Sequence, residues 1–378
     1  MRRLLLTGRS GTKRTLLALA LVALGISGIA WGGTGEAPPA TTSMPPAMPM
    51  EKGTPLVVKV AVAFVDVESF DENAGTFKAT VDVRLRWEVP SLKRPAEEQN
   101  DPPKIFRGDD AKTQLANLWV PAVEIVNQKG DPSYTNLGLR IFPSGNVEMI
   151  KRITAEFGTP YEVTRFPFDR QKLQIEPAIR NQTADQVVLQ FDQDDLDFSQ
   201  VSEDAALNGW NLKTVALSSM PIKGWYGAMH THAIAALTIA RLPGSVLASI
   251  FIPLFASLLI PLLAIWLNHM EDGQFKIETF ELVNLIIGGL FAVIALNFTV
   301  NQAYEVLSSG DNPVNRLFAL NYVTLGLSLM VNVLFYRFNV VEKMFGRWVQ
   351  EQTYTFLTWA IPVLVLTMAS AIVLVAVA

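Results

Sequence analysis

From about residue 54 the chain alternates between apolar and polar positions. In "FKATVDVRLRWE", Phe77, Ala79, Val81, Val83, Leu85 and Trp87 take every second place, and Lys78, Thr80, Asp82, Arg84, Arg86 and Glu88 fill the others. A period of two held over the whole segment predicts a strand with one buried and one wet face. "LVVKVAVAFVDVES" precedes it, and the "FDENAG" between them has hairpin chemistry. Further short strands are predicted in "LWVPAVEIVN", "LRIFPSG" with "NVEMIKRITAEF", "KLQIEPAI", "DQVVLQF", "WNLKTVAL" and "AIAALTIAR". With little helix signal between them, these segments predict an antiparallel β-sandwich.

Beyond Arg241 the alternation gives way to long apolar runs. Residues 242–267, 280–300, 316–338 and 354–378 are each long enough to cross a bilayer as a helix. Four such runs in succession predict a transmembrane bundle rather than buried soluble helices. With the sandwich exported, four spans place the connection carrying Arg337, Lys343 and Arg347 on the cytoplasmic side, in keeping with the excess of basic residues there. At the other end, Arg2, Arg3, Lys13 and Arg14 precede "TLLALALVALGISGIA", which closes on small residues. This predicts a secretory leader over 1–30, cleaved after Ala30. The alternative is a first membrane span, for which the run is short of the ~20 residues required. Residues 31–54 are rich in Pro and Ala and predict a flexible linker. The expected division is thus 1–30, 31–54, 55–241 and 242–378.

Composition narrows the function. At 378 residues the chain can hold two cores, and its 50% apolar content is concentrated after residue 241. A net charge of −4 with no basic stripe argues against nucleic acid as a partner. The absence of cysteine excludes disulfides and thiolate metal sites. Three histidines, with no Ser-His pairing or H-x-x-E-H motif, leave no catalytic constellation, so no enzyme is expected.

The second apolar run carries polar positions at helical spacing. Glu281, Asn284, Gly288, Phe291, Ala295, Phe298 and Gln302 fall within roughly a 100° arc of a helix, while Leu282, Val283, Leu285, Ile286, Leu290, Val293 and Ile294 form the opposite surface. Asn297 lies outside the stripe. One reading is a pore wall repeated by symmetry, with Glu281 attracting cations, Asn284 contacting a partly hydrated ion, and Phe291, Ala295 and Phe298 forming an apolar constriction. The other is helix packing through Gly288 and Gly289, with Glu281 an interfacial carboxylate beside Lys276.

Two smaller features carry alternatives of their own. In "DQDDLDF", Asp192, Asp194, Asp195 and Asp197 offer clustered oxygens suited to Ca²⁺, or else form a solvated acidic loop. His230 and His232 share a strand face, at a spacing suited to a transition metal or to a pH-sensitive surface pair.

The turn "TRFPFDRQKL" at 164–173 then carries a resemblance. An exported sandwich, four spans, a polar-striped second span and "FPFD" together resemble the pentameric ligand-gated ion channels of the Cys-loop receptor superfamily. Thr159 and Leu173 stand where the animal receptors carry the bracketing cysteines, so the chain resembles the prokaryotic branch. Trp119 and Pro121 match the family's W-x-P strand, Trp87 its core tryptophan, Trp210 the strand before the binding hairpin, and Arg241 and Pro253 the entry to the first span. The brief connection at 339–352 is similar to prokaryotic members.

The resemblance implies a homopentamer in a bacterial inner membrane, with a periplasmic sandwich that binds an agonist between subunits and a helical bundle that conducts. Its partners would be identical subunits, the lipid bilayer, permeating cations and an agonist that is a small molecule, a proton or a divalent ion. No cofactor would be required, with Ca²⁺ modulation an open option. The alternative is a non-conducting periplasmic solute sensor or scaffold. Phe166, Pro167, Phe168 and Asp169 would couple the domains, Asp169 pairing with Arg241; Asp71 or Glu72 would join them, and Pro313 would mark the connection between the second and third spans. The aromatic box of amine receptors is not matched: Val126 and Asp82 stand at two of its positions, and "EPAIRNQT" supplies no aromatic. Asp82, Trp225 and Tyr226 remain as ligand-binding candidates.

Overall fold

The computed structural model describes residues 46–49, 53, 55–268, 270–271, 274–275 and 279–377, with the side chains of 225, 270–271, 274–275, 279 and 309 outside the description. The leader expected at 1–30, most of the linker expected at 31–54, and Lys276 lie outside the described residues.

The alternating half folds as two sheets. β1 (Leu56–Asp71) and β2 (Thr76–Glu88) form the expected hairpin, followed by β3 (Lys104–Arg107), helix α1 (Gly108–Ala116), β4 (Val123–Ile125), β5 (Gln128–Ile141) and β6 (Asn146–Gly158). β7 (Arg170–Ile175), β8 (Pro177–Ile179), β9 (Val187–Gln190), helix α2 (Gln193–Phe198), β10 (Trp210–Lys223) and β11 (Met229–Arg241) complete it. One sheet runs β3-β5-β6-β2-β1-β9; the other runs β10-β11-β8-β4, with β7 also paired to β11. The pairing is antiparallel except for β1 with β9, which is parallel.

The core lies where the period of two places it. Phe77, Ala79, Val81, Leu85 and Trp87 of β2 are buried, and Phe77 meets Phe157 of β6 at 5.4 Å between ring centroids. The polar face of β2 departs from expectation. Arg84 is buried because α2 covers it, and its guanidinium lies 4.3 Å from the Phe198 ring centre. Neither α1 nor α2 was expected, since both are short and their apolar positions are too few to set a helical period.

Four helices long and apolar enough to cross a membrane follow: Gly244–Trp266, Phe280–Ala303, Pro313–Arg337 and Arg347–Val377. The first opens into a π-helical turn over Leu247–Phe251, just before Pro253. Proline cannot donate to the carbonyl four residues back, which loosens the helix there. Side chains of the third span meet first-span backbone: Asn321 donates to Leu254 O at 3.2 Å and Ser328 to Pro261 O at 3.1 Å. Such side-chain donors serve carbonyls that apolar surroundings cannot.

Candidate functional site

The sandwich and the helices meet around Arg241, the last residue of β11. Its register partner on β10 is Trp210, whose ring centre lies 4.2 Å from the guanidinium carbon. The fork is fully used. Nε donates to Asp169 Oδ1 at 2.7 Å, Nη1 to Glu72 Oε1 at 2.8 Å, and Nη2 to Glu72 Oε2 at 2.8 Å and to the Tyr161 hydroxyl at 2.6 Å. Tyr161 in turn donates to Glu72 Oε2 at 2.8 Å. Burial alone would lower the Arg241 pKa, but the hydrogen bonds to Glu72 and Asp169 outweigh it and hold it above the ordinary arginine value. Burial also pushes the Tyr161 phenol up, so it stays a protonated donor.

Of the two acids expected in the first hairpin loop, Glu72 joins the cluster and Asp71 does not. Asp71 accepts the backbone N–H groups of Asn73 and Ala74, both at 2.9 Å, and so shapes the turn. That turn reaches the helices through Asn73, whose Oδ1 accepts from Val306 N at 3.1 Å.

The "FPFD" turn supplies the second contact. Phe166 is fully buried within the apolar core of the helices, not that of the sandwich. It meets Tyr304, just after the second span, edge-on at 5.6 Å, and lies 4.8 Å from the Arg241 guanidinium carbon. Pro167 is buried and Phe168 half-buried. A Cβ at Gly310 would come within 2.9 Å of Val163, so the connection between spans packs tightly on this loop. Pro313 is buried as the first residue of the third span, after Asn312, whose side chain caps the helix by accepting from Asn315 N at 2.9 Å.

Where animal receptors place cysteines, a hydrogen bond closes the loop: Thr159 Oγ1 donates to Lys172 O at 2.6 Å, beside the fully buried Leu173. Inside it, Gln171 donates to both Glu162 O and Asp169 Oδ2 at 2.7 Å. Sequence reasoning missed Tyr161, Gln171, Asn73 and Tyr304, none of which sits in a motif of its own.

The seven striped residues of the second span, Glu281, Asn284, Gly288, Phe291, Ala295, Phe298 and Gln302, are all exposed in the single chain. The buried stripe is Leu282, Ile286, Gly289, Val293 and Val300. Leu285, Leu290 and Ile294, expected on the packed or lipid surface, are exposed at 41%, 37% and 47%, so the outward face is wider than the polar stripe. The two glycines divide: a Cβ at Gly289 would meet Ile260 at 2.8 Å, whereas one at Gly288 meets nothing within 4 Å. Asn297, outside the stripe, turns to the third span and donates to the Tyr322 hydroxyl at 3.2 Å.

The ligand-binding candidates occupy different sheets. Tyr226 is fully exposed at the tip of the β10–β11 hairpin, with φ 56°, beside a cleft of about 610 Å³. Trp225 has its side chain outside the described residues. Asp82 lies on the outer face of the six-stranded sheet, held bidentately by Arg152 at 2.7 Å, and lines a separate hollow of about 320 Å³ with Arg107 and Arg140. One chain therefore does not bring Asp82 and Tyr226 together.

The acidic run is not an open cation cage. Asp192 caps α2 in a reciprocal capping box with Asp195, and takes ion pairs from Lys59 and from Arg86, the latter at 2.7 Å. Asp195 is fully buried against Arg84 and Arg86, both at 2.8 Å. Asp194 pairs with Arg86 at 3.1 Å and Asp197 accepts from Gln193 at 2.8 Å. The carboxylates expected to hold Ca²⁺ are thus taken up by cations of β1 and β2 and by the local helix. Among the described residues no group of three or more His, Asp or Glu is placed to hold a metal ion.

Nor are the two histidines a surface pair. Both are buried; His230 Nδ1 lies 2.9 Å from Gln182 O, and His232 Nε2 lies 3.4 Å from Glu176 Oε2.

Comparison with known proteins agrees with this architecture. The family model described as the neurotransmitter-gated ion-channel ligand binding domain matches residues 43–243. The chain is 25% identical over 290 residues to the proton-gated ion channel of Gloeobacter violaceus, covering 75% of this chain and 73% of that one. It is 26% identical over 242 residues to the glycine receptor subunit beta of Rattus norvegicus, covering 58% of this chain and 44% of that subunit. A 128-residue stretch is 29% identical to the gamma-aminobutyric acid receptor subunit rho-3 of Homo sapiens, 33% of this chain and 26% of that subunit. The chain thus spans less than half the length of these animal subunits.

Proposed function

The chain belongs to the neurotransmitter-gated ion-channel family, a family of channels rather than enzymes, and from that premise we propose that it forms a homopentameric, cation-selective channel in a bacterial inner membrane. The sandwich stands in the periplasm, and an agonist taken up there opens the pore. The observation that carries this reading is the second span: its polar and small stripe points away from the other helices of its own chain, which is what a wall facing a central axis requires. A ring of Glu281 carboxylates at one end of that wall favours cations, and Phe291 and Phe298 narrow it by apolar surface.

The agonist enters the cleft beneath the β10–β11 hairpin, and the outer face of a neighbour's six-stranded sheet, around Asp82, completes the site. Binding there biases the buried cluster of Arg241, Asp169, Glu72 and Tyr161. That cluster joins the strand ends to the connection between the second and third spans, and Pro313 fixes where the third span starts. A cluster with two acids and one cation in a rigid setting has alternative pairings of similar cost, the property a two-state junction needs.

Cation flux into liposomes holding the purified chain, followed with and without Glu281→Lys, tests the proposal. The substitution should shift the reversal potential toward anions; a conducting variant with unchanged selectivity sinks the filter role of Glu281.

A further inference from the structure

The outer face of the five-stranded sheet can be read row by row beneath the hairpin. Register sets Met220, His232, Ala178 and Glu124 side by side across β10, β11, β8 and β4. Two residues further along β8, just past its end, stands Arg180. Sheet spacings put the Glu124 and Arg180 Cα atoms roughly 8 Å apart. Both side chains line the same cleft, and Lys223, at the end of β10, faces it from the hairpin.

Three charged groups around one cleft usually neutralise one another, and these do not. Among the described residues neither Glu124, Arg180 nor Lys223 has an ion pair or a side-chain hydrogen bond. Other charges of this domain do find partners, as the Arg152–Asp82 and Arg241–Asp169 pairs show. The cleft therefore keeps one acid and two bases unmatched, with the acid set apart along the floor from the nearer base.

Its frame is rigid at the base. His230 is buried, with Nδ1 at 2.9 Å from Gln182 O, so in the neutral ring that nitrogen donates to the carbonyl. The ring packs so closely on Gly224 that a Cβ there would lie 2.2 Å from His230 Cδ2, which only glycine avoids. Ala184 N donates to Met229 O at 2.8 Å and Gly224 N to Ala228 O at 2.8 Å. These bonds fix the hairpin to the loop that carries Arg180.

We propose that this cleft binds a small zwitterion of amino-acid type, its carboxylate held by Arg180 and Lys223 and its ammonium by Glu124. The inference rests on the reading of this cleft as the agonist half-site. Arginine offers a planar fork matched to a carboxylate, and a charge-assisted bond is about twice as strong as a neutral one. No aromatic stands at the residues of the floor named here, so a bare quaternary ammonium has no ring faces to rest on there, while a primary ammonium has a carboxylate. The two-to-one excess of bases makes the carboxylate the end the cleft needs most. Volume agrees, since about 610 Å³ admits a molecule of this size without enclosing it.

The test is calorimetric titration of the full purified chain in lipid nanodiscs with straight-chain ω-amino acids of increasing length, each against the n-alkylamine and n-alkanoate of the same length. One or more of the amino acids should bind, and its single-charge analogues should bind weaker by about tenfold or more. Arg180→Gln and Glu124→Gln should each weaken the amino acid by about tenfold, without changing the melting temperature of the unliganded chain. The proposal is overturned if no amino acid of the series binds, if the alkanoate or the alkylamine binds as well, or if either variant binds like the parent chain. Flux measured on the same preparation separates the two readings. Binding with no flux under any stimulus sinks the channel while the ligand class stands; flux opened by acid alone, with no binding, sinks the ligand class while the channel stands.

Discussion

The rings of Phe166 and Tyr304 meet edge-on, 5.6 Å apart and inclined at 63°, one from a turn of the sandwich and the other from the end of the second span. Phe166 is fully buried, and its neighbours belong to the helices. The turn thus donates an apolar plug to the other domain, while Asp169 three residues later pairs with the strand end that leads into the first span. Position and charge are transmitted through the same four-residue motif.

Phe166→Ala should therefore loosen the junction rather than the sandwich. Emptying a fully buried phenylalanine site costs about 3–5 kcal/mol, and Phe166→Leu should cost less because most of the volume remains. A double-mutant cycle with Tyr304→Ala, read from thermal unfolding followed by tryptophan fluorescence, should return a coupling of about 0.5–1.5 kcal/mol. Strict additivity would show that the two rings touch without supporting each other.

Charge removal at the cluster should follow burial. Arg241→Gln leaves Asp169 and Glu72 facing each other without a cation, and loss of one partner from a buried ion pair costs about 3–5 kcal/mol. Asp169→Asn should be milder, because Glu72 still pairs with the guanidinium, and Glu72→Gln milder still, because its side chain is 18% exposed against 2% for Asp169. Arg241→Lys should not rescue, since an ammonium cannot serve two carboxylates and a phenol from one plane. Melting temperatures of the four variants check the order, and Glu72→Gln falling as far as Arg241→Gln would contradict it.

Acid should weaken the outer sheet through α2. Burial acts to raise the Asp192 pKa, yet the hydrogen bonds from Lys59 and Asp195 and the charge of Arg86 hold it well below the usual carboxylate range. A carboxylate depressed in the folded state adds stability above its unfolded pKa, and that stability is lost as pH falls below about 4. Asp192→Asn should lower the melting temperature at neutral pH and flatten its decline in acid. Added Ca²⁺ should leave the α2 region unaffected, because its carboxylates already hold guanidinium groups; a Ca²⁺-dependent rise in melting temperature abolished by Asp192→Asn would overturn this.

How legible was this junction? The strands and spans were readable because each must hide one face, and hiding writes a period into the sequence. Asp169, Arg241 and Glu72 were readable only through the family's motif. Tyr161, Gln171, Asn73 and Tyr304 were not, because what gives them a role is a meeting in space: Glu72 and Arg241 alone lie 169 residues apart. The acidic run was misread for a related reason. Its D-x-x-D capping spacing was visible, but Arg84 and Arg86 sat on what the alternation marked as the wet face of β2, and only the docking of α2 shows that they are its partners.

The second span offers the sharpest remaining contrast, since its two adjacent glycines look alike in sequence. A side chain at Gly289 must displace Ile260 of the first span at 2.8 Å and Leu325 of the third at 3.3 Å, whereas Gly288 opens onto free space. Gly289→Leu should disrupt packing and lower the melting temperature or abolish assembly, since overpacking costs about 1–3 kcal/mol or more. Gly288→Leu should assemble and melt like the parent chain, yet reduce single-channel conductance, because its Cβ enters the space the stripe surrounds. A Gly288→Leu channel of undiminished conductance would move that residue off the pore wall, and a stable, well-assembled Gly289→Leu would show that the helices part there more easily than their contacts imply.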